Sequence, residues 1–492
     1  MGNLRNYISS IAGTPNDVAL DSEPNTQAKT YTYSGTANLD TFFGAVKFIG
    51  AYRRVSTSAA LDLDGSPFAI QQTTGRQKLQ QYSGELQITG KAFANAVDFA
   101  GGLFYFNESG VDGSVGQTIP TLNPLTNVFN GTIFNDSMGI YGQANWHLTD
   151  KLTFTGGLRY SIDDKGLTTR NQTLNRNTLA RACQVATSSL LNDCALTRHN
   201  QFAGVSYLAG LDYKIDDDVL VYVKTSKGFR SGGQNLRATT EASALPFRPE
   251  IALAQEVGLK SELFDRRIRL NLAGYYSTVK DIQRSTLVGF ADGTTSTILS
   301  NAGKLRVWGL EGELTAELLT GFRIGATAAL TRAKYLEYSE VPNRTDLNGD
   351  RRDERIEGVP RQTFSLTTTY QRDIGIGALL LRGDYSWTDA FALQPYSSFL
   401  GDPQGVTIDP ATGRTVAQEI IKATTSPKQG ILSGRVSLTV LDGALEIAIF
   451  GRNLTNDRSP VTALYVPGIN YVSGQLREPR TFGISGTFRF GQ

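Results

Sequence analysis

The sequence has few of the residues that build metal centres and thiol or imidazole active sites. Its 492 residues include two histidines, two cysteines and two methionines. Zinc sites and nucleophilic enzymes need several such side chains close together, and no G-x-S-x-G motif marks a serine hydrolase. We therefore expect no metal, no cofactor and no catalytic residues in this chain.

Long apolar runs are also missing. No stretch of about 18 apolar residues occurs, so no membrane-spanning helix is expected. The first residues, MGNLRNYISSIAG, lack the apolar core and the cleavage site of a signal peptide. The formal net charge is only +2, a balance that gives no sign of a nucleic-acid partner.

Glycine and aromatic residues are abundant instead, with 51 Gly, 20 Tyr and 24 Phe, which is typical of β-rich chains. Apolar and polar residues alternate in KLTFTGGLRYSID (151–163), where Leu152, Phe154 and Leu158 share one side. A period of two indicates a strand with one apolar face. The same pattern predicts about 17 strands, near residues 29–40, 43–59, 78–89, 94–109, 136–149, 151–164, 200–215, 218–230, 251–263, 268–285, 305–317, 321–338, 361–373, 377–390, 428–441, 444–456 and 480–490.

The predicted connections alternate between short and long. Short ones such as LDTF (39–42) and LTD (148–150) separate long ones at 60–77, 110–135, 165–199, 231–250, 286–304, 339–360, 391–427 and 457–479. A soluble sandwich has no reason to place every long loop at one end, whereas an outer-membrane barrel has short periplasmic turns and long extracellular loops. The sequence therefore predicts an all-β, antiparallel transmembrane β-barrel in the bacterial outer membrane, with outer-membrane lipid against its apolar face.

Aromatic residues near the predicted strand ends support this interpretation. Trp146 precedes a short turn, and Tyr160, Tyr276 and Trp387 lie near the opposite ends, as in the aromatic girdles of membrane barrels. Each aromatic residue alone would equally suit ordinary strand packing.

The stretch VYVKTSKGFRSGGQN (221–235) combines a β-branched run with basic residues and glycines. It lacks the G-x-x-x-x-G-K-[ST] pattern, and no helical pattern follows, so a phosphate-binding loop is excluded by context. The composition instead changes where the predicted strand leaves the membrane.

This stretch and several later segments resemble the C-terminal barrel of TonB-dependent outer-membrane receptors. The segments follow in family order over most of the chain: RPEIALAQEVGLKSEL (248–263), NAGKLRVWGLEGEL (301–314), DLNGDRRDE (346–354) with VPRQTFSL (359–366), FGRNLTND (450–457) and REPRTFGISGTFRF (477–490). The family combines an N-terminal plug with a 22-stranded barrel. Its members import scarce ligands, most often ferric siderophores, with energy supplied through the TonB complex.

The resemblance implies that this chain carries about 17 of the 22 strands. We expect residues 1–28 to form an extracellular-loop segment and residues 29–492 the receptor barrel, with the signal peptide, TonB box, plug and first strands absent. The first and last strands then cannot pair as in a complete barrel, so the sheet closes imperfectly or leaves a gap. The family usually ends on an aromatic residue, whereas Gly491 and Gln492 follow Phe490 here.

Cys183 and Cys194 both lie in the long loop 165–199. Outside the cell we expect them to form a disulfide that constrains the loop by roughly 3 kcal/mol in the chain-entropy model. The alternative is a pair of free thiols.

Two other groups of residues contain side chains that bind metals elsewhere. Asp346, Asn348, Asp350 and Asp353 have the glycine at the wrong position for an EF-hand, so a solvated loop is favoured. His147 and His199 are expected at opposite membrane faces, which excludes a shared site.

Ligand capture would fall to the long loops and the upper lumen. Candidate ligand-binding residues are Phe229, Arg230, Arg237, Arg248 and Tyr396, because the arginine fork pairs with the oxygens of anionic ferric chelates. The same arginines would also suit lipopolysaccharide phosphates or plain solvation, and nothing in one sequence shows that they converge.

The predicted function is energised uptake of a scarce ligand by a fragment that lacks the plug and is inactive as written. The resemblance implies that this ligand is a ferric siderophore. The alternative is a passive outer-membrane porin that selects by size and charge. An outer-membrane enzyme is the weakest hypothesis, because no nucleophile constellation is present.

Overall fold

The computed structural model describes residues 20–289, 295–338, 355–394, 408–409, 414–466 and 471–490. Strands dominate these ranges. Seventeen long strands form the body of the fold: β1 (Asn25–Thr41), β2 (Gly44–Asp62), β3 (Gln71–Ala92), β4 (Val97–Thr118), β5 (Leu125–His147), β6 (Leu152–Arg170), β9 (Ala195–Lys214), β10 (Val219–Arg230), β11 (Glu250–Leu263), β12 (Ile268–Lys280), β15 (Gly303–Leu319), β16 (Phe322–Tyr338), β17 (Gln362–Asp373), β18 (Ala378–Thr388), β23 (Gln429–Val440), β24 (Leu445–Arg452) and β27 (Thr481–Phe488).

Shorter elements occupy the long connections. The short strands are β7 (Gln172–Asn175), β8 (Arg181–Cys183), β13 (Gln283–Gly289), β14 (Thr295–Asn301), β19 (Phe391–Ala392), β20 (Ile408–Asp409), β21 (Arg414–Thr415), β22 (Thr425–Ser426), β25 (Pro460–Val466) and β26 (Tyr471–Leu476). The helices are α1 (Glu241–Ala244) and α2 (Val416–Ala423), with a 3₁₀ turn at Leu190–Asn192. No helix in the described ranges is both long and apolar enough to cross a membrane.

Each long strand pairs antiparallel with the next long strand along the chain. Together with β7 and β8 they form a single 19-stranded sheet. Tight hairpins join the pairs at one end, for example between Thr41 and Gly44, and between Leu263 and Ile268. All the long connections therefore leave the sheet at the other end, and the predicted up-and-down topology is confirmed.

All 17 predicted strands are present, but several are longer than predicted. β3 begins at Gln71 rather than near residue 78, β4 continues to Thr118, and β5 begins at Leu125. Much of the expected loops 60–77 and 110–135 is therefore strand. These extensions carry polar residues on both faces, so the apolar alternation that marks a membrane strand is lost there while backbone pairing continues.

Other boundaries are earlier than predicted. The strand expected over 268–285 ends at Lys280, because Asp281 adopts a left-handed backbone conformation with φ 53°, and a separate hairpin follows. The strand expected over 444–456 ends at Arg452, before Asn453 with φ 49°. A left-handed residue breaks the extended geometry that a strand requires.

One face of the sheet is apolar and exposed. Six residues directly opposite one another on successive strands form a continuous row across this face, each between 44% and 57% exposed: Phe48, Leu86, Leu103, Ile140, Tyr160 and Val205. Such a surface is stable against lipid but not against water. We call it the outer face.

The opposite face is polar, and its side chains bond to one another across strands. The Tyr141 hydroxyl donates to Glu85 at 2.7 Å, and Lys224 Nζ lies 2.8 Å from a Glu256 carboxylate oxygen. These residues occupy the alternate positions to the apolar ones, as barrel geometry requires. We call this the lumen face.

The sheet has an open edge in the described residues. β1 pairs with β2 alone and β27 pairs with β24 alone, as expected for an incompletely closed barrel. The edge backbone groups of these two strands lack the ladder partners that a closed barrel supplies. β1 begins at Asn25, four residues before the expected start of the barrel. The division of the chain at residue 28 itself stays a prediction.

Candidate ligand site at the mouth of the barrel

A cavity of about 220 Å³ lies among the long connections. One part of its lining consists of lumen-face residues at the start of β3, the end of β4 and the start of β5. The rest comes from the connection after β10, the β13–β14 hairpin and β25. The lining includes Gln71, Thr73, Ser114, Thr118, Asn127, Phe129, Arg237, Ser296 and Leu464.

The lining is mainly neutral and polar. Among the described residues that line the cavity, Arg237 is the one charged side chain. A guanidinium brings five donors in a fixed fork and no acceptor. The cavity can therefore present neutral hydrogen-bonding groups together with one permanent positive charge to a ligand.

Arg237 belongs to the connection 231–249, which folds into a closed loop. Gly233 and Phe247 form an isolated antiparallel bridge, with their backbone N–H groups donating to each other's carbonyls at 3.2 and 2.9 Å. Inside the loop, helix α1 is capped by Thr240, whose side chain accepts from the Ser243 backbone N–H. Helix N-caps of this kind stabilise short helical turns.

Buried Asn171 anchors this loop from one side. Its side-chain amide donates to the carbonyl of Leu236 at 2.7 Å and to the carbonyl of Ala238 at 2.9 Å. These carbonyls flank Arg237 in the chain. The backbone on both sides of the arginine is therefore fixed by a residue of the β6–β7 segment.

The β13–β14 hairpin anchors the same loop from the other side. Asn235 donates to the Leu299 carbonyl at 2.9 Å and accepts from the Leu299 N–H at 2.8 Å. The Ser296 hydroxyl donates to the carbonyl of Arg237 itself at 2.7 Å. Because side-chain hydrogen bonds tie it to two separate elements, the backbone around Arg237 is held in place.

A disulfide between Cys183 and Cys194 closes the neighbouring loop, with 5.4 Å between their Cα atoms. Val185, just after Cys183, is buried against Ala238 and Ala244 of the Arg237 loop. The disulfide loop and the Arg237 loop therefore pack into one unit.

A charged contact joins the same two loops. The Thr187 backbone N–H donates to the Glu241 carboxylate at 2.7 Å, and this bond lowers the pKa of the Glu241 carboxyl below its usual range. The carboxylate also lies in the first turn of α1, where negative charge is favourable.

The other sequence-predicted ligand residues lie elsewhere. The Phe229 ring packs over Gly204 of β9 and fills the space that an added Cβ would occupy, and Arg230 is exposed at the end of β10. Arg248 is engaged by Asp281, at 3.2 Å from Nε. Of the four candidates that the structure describes, only Arg237 lines the cavity. Tyr396 lies outside the described residues.

The two histidines lie in different environments. His147, beside a short turn, is 2.8 Å from Asp98, and His199, on the upper part of β9, is 2.8 Å from Asp164. The structure does not bring them together. The acidic loop 346–354 lies outside the described residues.

One carboxylate cluster was not anticipated. One carboxylate oxygen from each of Asp21, Asp62 and Asp64 lies within 4.8 Å of the other two, beyond the upper end of β2. Asp64 is nearly fully buried and already accepts hydrogen bonds from Ser66 and from the Gln71 N–H. Burial raises the pKa of the Asp64 carboxyl despite these bonds.

The anchoring residues Asn171, Asn235 and Ser296 were not identified from the sequence. Asn171 and its acceptor Leu236 are 65 positions apart, and no local pattern distinguishes a buried loop asparagine from a solvated one. Only the folded loops show the contact.

These features define an outer-membrane β-barrel: an apolar outer face, a polar lumen face, and a cavity among the long connections. A family model described as "TonB dependent receptor-like, beta-barrel" matches residues 2–417. The chain belongs to this family.

Two curated relatives are pesticin receptors. The one from Yersinia pestis is 26% identical over 306 residues, which is 62% of this chain and 40% of the relative. The one from Yersinia enterocolitica is 26% identical over 307 residues, with the same shares. The chain therefore spans about two fifths of the length of the curated relatives it matches.

Solved structures share the fold. The ferric yersiniabactin uptake receptor FyuA from Yersinia pestis matches with a TM-score of 0.72 and 19% identity, over 95% of this chain and 62% of that one. The siderophore receptor PiuA from Acinetobacter baumannii matches with a TM-score of 0.67 and 15% identity, over 94% and 64%. The predicted family, the outer-membrane location and the non-enzymatic character are confirmed, since the chain belongs to the TonB-dependent receptor barrel family and the relatives it matches are receptors.

Proposed function

We propose that the chain forms the barrel of a receptor that captures a ferric siderophore at its mouth and takes it up in an energised, TonB-dependent cycle. The observation that carries the proposal is the position of Arg237, which is the one charged residue among the described residues that line a mainly neutral, polar cavity. An anionic ferric chelate carries its charge on carboxylate or catecholate oxygens, which pair with a guanidinium fork.

The chemistry of the cavity supports a bound, water-soluble ligand rather than a lipid. Hydroxyl and amide side chains such as Thr73, Ser114 and Asn127 can donate or accept, while Phe129 and Leu464 provide apolar contact. A few placed polar groups with some apolar surface are typical of small-molecule sites. The names of structural relatives, a ferric yersiniabactin receptor and a siderophore receptor, support an iron chelate as the ligand class.

Binding can be tested with the Arg237→Gln variant. The probes are ferric yersiniabactin, a ferric catecholate and ferric citrate, each titrated against the folded barrel by fluorescence quenching. At least one should bind, and R237Q should weaken that binding by about tenfold or more, the loss expected for one charge-assisted contact. Arg181→Gln is the control, because Arg181 is an exposed arginine outside the cavity lining. Equal affinities for R237Q and the parent protein would refute capture at this site.

The energised mode is tested separately in cells. Uptake of the ligand that binds is compared between strains with and without a functional TonB protein. Loss of uptake without TonB is expected. Uptake that persists unchanged in its absence would favour the alternative, a passive porin.

A further inference from the structure

We propose that the outer wall of strands β1 to β3 carries a binding site for the phosphate groups of lipopolysaccharide in the outer leaflet. The site consists of four cations, Lys29, Arg54, Arg76 and Lys78, placed just above an aromatic girdle. It lies on the opposite side of the sheet from the cavity and does not depend on the proposed uptake function.

The face on which the four cations lie follows from strand register. Tyr31 is opposite Arg54, and Lys29 is opposite Ser56, which in turn is opposite Lys78. Residues directly opposite each other share a face of the sheet. Positions two apart on a strand also share it, so all four cations lie on the same face as exposed Phe48 and Leu86.

The height of the cations follows from their distance to the short turns. Ten residues separate Arg54 from Gly44 at the β1–β2 turn. A tilted strand of 9 to 11 residues crosses the hydrocarbon layer. Arg54 therefore lies at the upper limit of the apolar band, and the other three cations lie at that level or somewhat further out.

At the upper end of the apolar band, just below the cations, lies a row of tyrosines. Tyr33 is opposite Tyr52, and Tyr52 is opposite Tyr82. The Tyr52 and Tyr82 rings are 4.9 Å apart between centroids, and those of Tyr33 and Tyr52 are 6.4 Å apart. Tyrosine rings at this level mark the boundary between acyl chains and headgroups. The cations directly above them lie at the depth of lipid phosphates.

The cations surround a small polar patch. Ser56 has Lys29 and Lys78 as its two cross-strand neighbours and Arg54 two residues before it. Arg76 is opposite Ser58. Direct and diagonal neighbours in a sheet lie roughly 5 to 8 Å apart, a spacing that lets several cations contact one phosphate or two adjacent ones.

The four cations lack acidic partners. Each is exposed, and none forms an ion pair within the described part of the chain. The outward positions from Arg54 to Ala60 on β2, and from Thr74 to Gln80 on β3, hold no acidic residue. The next outward position on β2 is Asp62, whose carboxylate accepts from the Asp64 and Gly65 backbone N–H groups. Clustered like charges repel, so the patch favours a multivalent anion. Bisphosphorylated lipid A supplies both the phosphates and acyl chains for the apolar band below.

The test compares two sets of variants of the full chain. In the outward set, Lys29, Arg54, Arg76 and Lys78 are all replaced by glutamine. In the matched control, Lys47→Gln and Arg53→Gln remove two cations of β2 from the lumen face. Folding of each protein is checked by the migration of unheated samples in gels. Bound lipid is then counted by native mass spectrometry with bisphosphorylated lipid A, dephosphorylated lipid A or inorganic phosphate.

The parent protein and the lumen control should retain bisphosphorylated lipid A through detergent exchange. The outward set should retain it about tenfold less, a change that corresponds to the loss of at least one charge-assisted contact. Dephosphorylated lipid A and inorganic phosphate should be retained poorly by all proteins. Equal retention of bisphosphorylated lipid A by the outward set, or equal retention of the dephosphorylated lipid by the parent, would overturn the proposal. To guard against a folding failure of the fourfold variant, Arg54→Gln with Lys78→Gln is measured in parallel.

Discussion

The ring of Tyr141 lies over Gly102, its partner on the neighbouring strand, and its hydroxyl reaches Glu85 on the strand beyond at 2.7 Å. An ideal Cβ on Gly102 would lie 2.7 Å from the Tyr141 ring and hydroxyl. The glycine thus provides the space through which the tyrosine crosses β4. Two other lumen-face pairs repeat the relationship, with Tyr222 over Gly258 and Tyr275 over Gly309.

Adding a methyl group at Gly102 should therefore destabilise the barrel. In Gly102→Ala the new Cβ would also lie 2.6 Å from the Leu86 carbonyl oxygen, so both the Tyr141 ring and the backbone must shift. We expect a loss of about 1–3 kcal/mol, the usual cost of overpacking, measured by urea titration of the folded protein in detergent micelles. Gly84→Ala is the control, because nothing lies within 4 Å of a Cβ there. If Gly102→Ala is as stable as Gly84→Ala, the Tyr141 ring is not tightly packed against Gly102.

Replacing Asn171 by alanine should loosen the Arg237 loop without unfolding the barrel. The change removes both side-chain donors to the Leu236 and Ala238 carbonyls, and buried groups left unpaired cost about 1–3 kcal/mol each. Trypsin should cleave after Arg237 faster than in the parent protein, while the thermal midpoint of the barrel stays within the error of the parent. Exposed Asn177→Ala should leave the cleavage rate unchanged. Equal cleavage rates for the two variants would rule out the anchoring role.

Removing the disulfide should increase amide exchange in the loop it closes. Cys183→Ser with Cys194→Ser takes away a constraint worth roughly 3 kcal/mol in the chain-entropy model. The contact of Val185 with Ala238 and Ala244 should weaken with it. Hydrogen exchange measured by mass spectrometry should rise in residues 184–193 and, to a lesser extent, in residues 238–244. A reducing agent should raise exchange in the parent protein only. A similar rise in the variant would point to a cause other than this disulfide.

The Asp64 carboxyl should make the β2–β3 connection less stable as the pH rises. Burial raises the pKa of this carboxyl in the folded chain, and the Asp62 carboxylate raises it further. A group with a higher pKa when folded binds a proton more tightly in the folded state. The protonated Asp64 carboxyl therefore stabilises the folded chain fully at pH values below the ordinary aspartate pKa. This stabilisation is lost as the pH rises through the raised pKa of the folded state.

Asp64→Asn should remove this dependence. The free energy of unfolding is measured by urea titration, and the difference of variant minus parent should become more favourable to the variant as the pH rises from the ordinary aspartate range to about pH 7.5. Glu23→Gln, an exposed change in the preceding segment, serves as the reference. A difference that does not vary with pH would show that Asp64 titrates alike in both states.

The strands could be predicted from the sequence where they cross lipid and less well where they do not. Around Leu158 and Tyr160 the environment demands an apolar residue at every second position, so the period of two is visible. At Gln71–Gln77 both faces are polar, and pairing with β4 continues through backbone bonds that any residue can make. The residue types at these positions therefore do not show that strand pairing continues there.

The candidate site was only partly accessible to sequence reasoning. In the sequence, Arg237 and Arg248 share the same charge and the same long loop, but in the fold Arg248 is engaged by Asp281 whereas Arg237 lines the cavity. The difference between them depends on which distant segments fold beside each residue. Ser296, which fixes the Arg237 carbonyl, is 59 positions away.

The upper ends of β3, β4 and β5 have a consequence for access. Ser114 lies 17 residues beyond the start of β4, and at about 3.4 Å per residue and a tilt of about 40° this puts it roughly 20 Å above a 25 Å apolar band. A dissolved ligand of the proposed class can thus reach Arg237 directly from the surrounding water. It needs neither to enter the bilayer nor to exchange its hydration shell for acyl chains before it meets the protein.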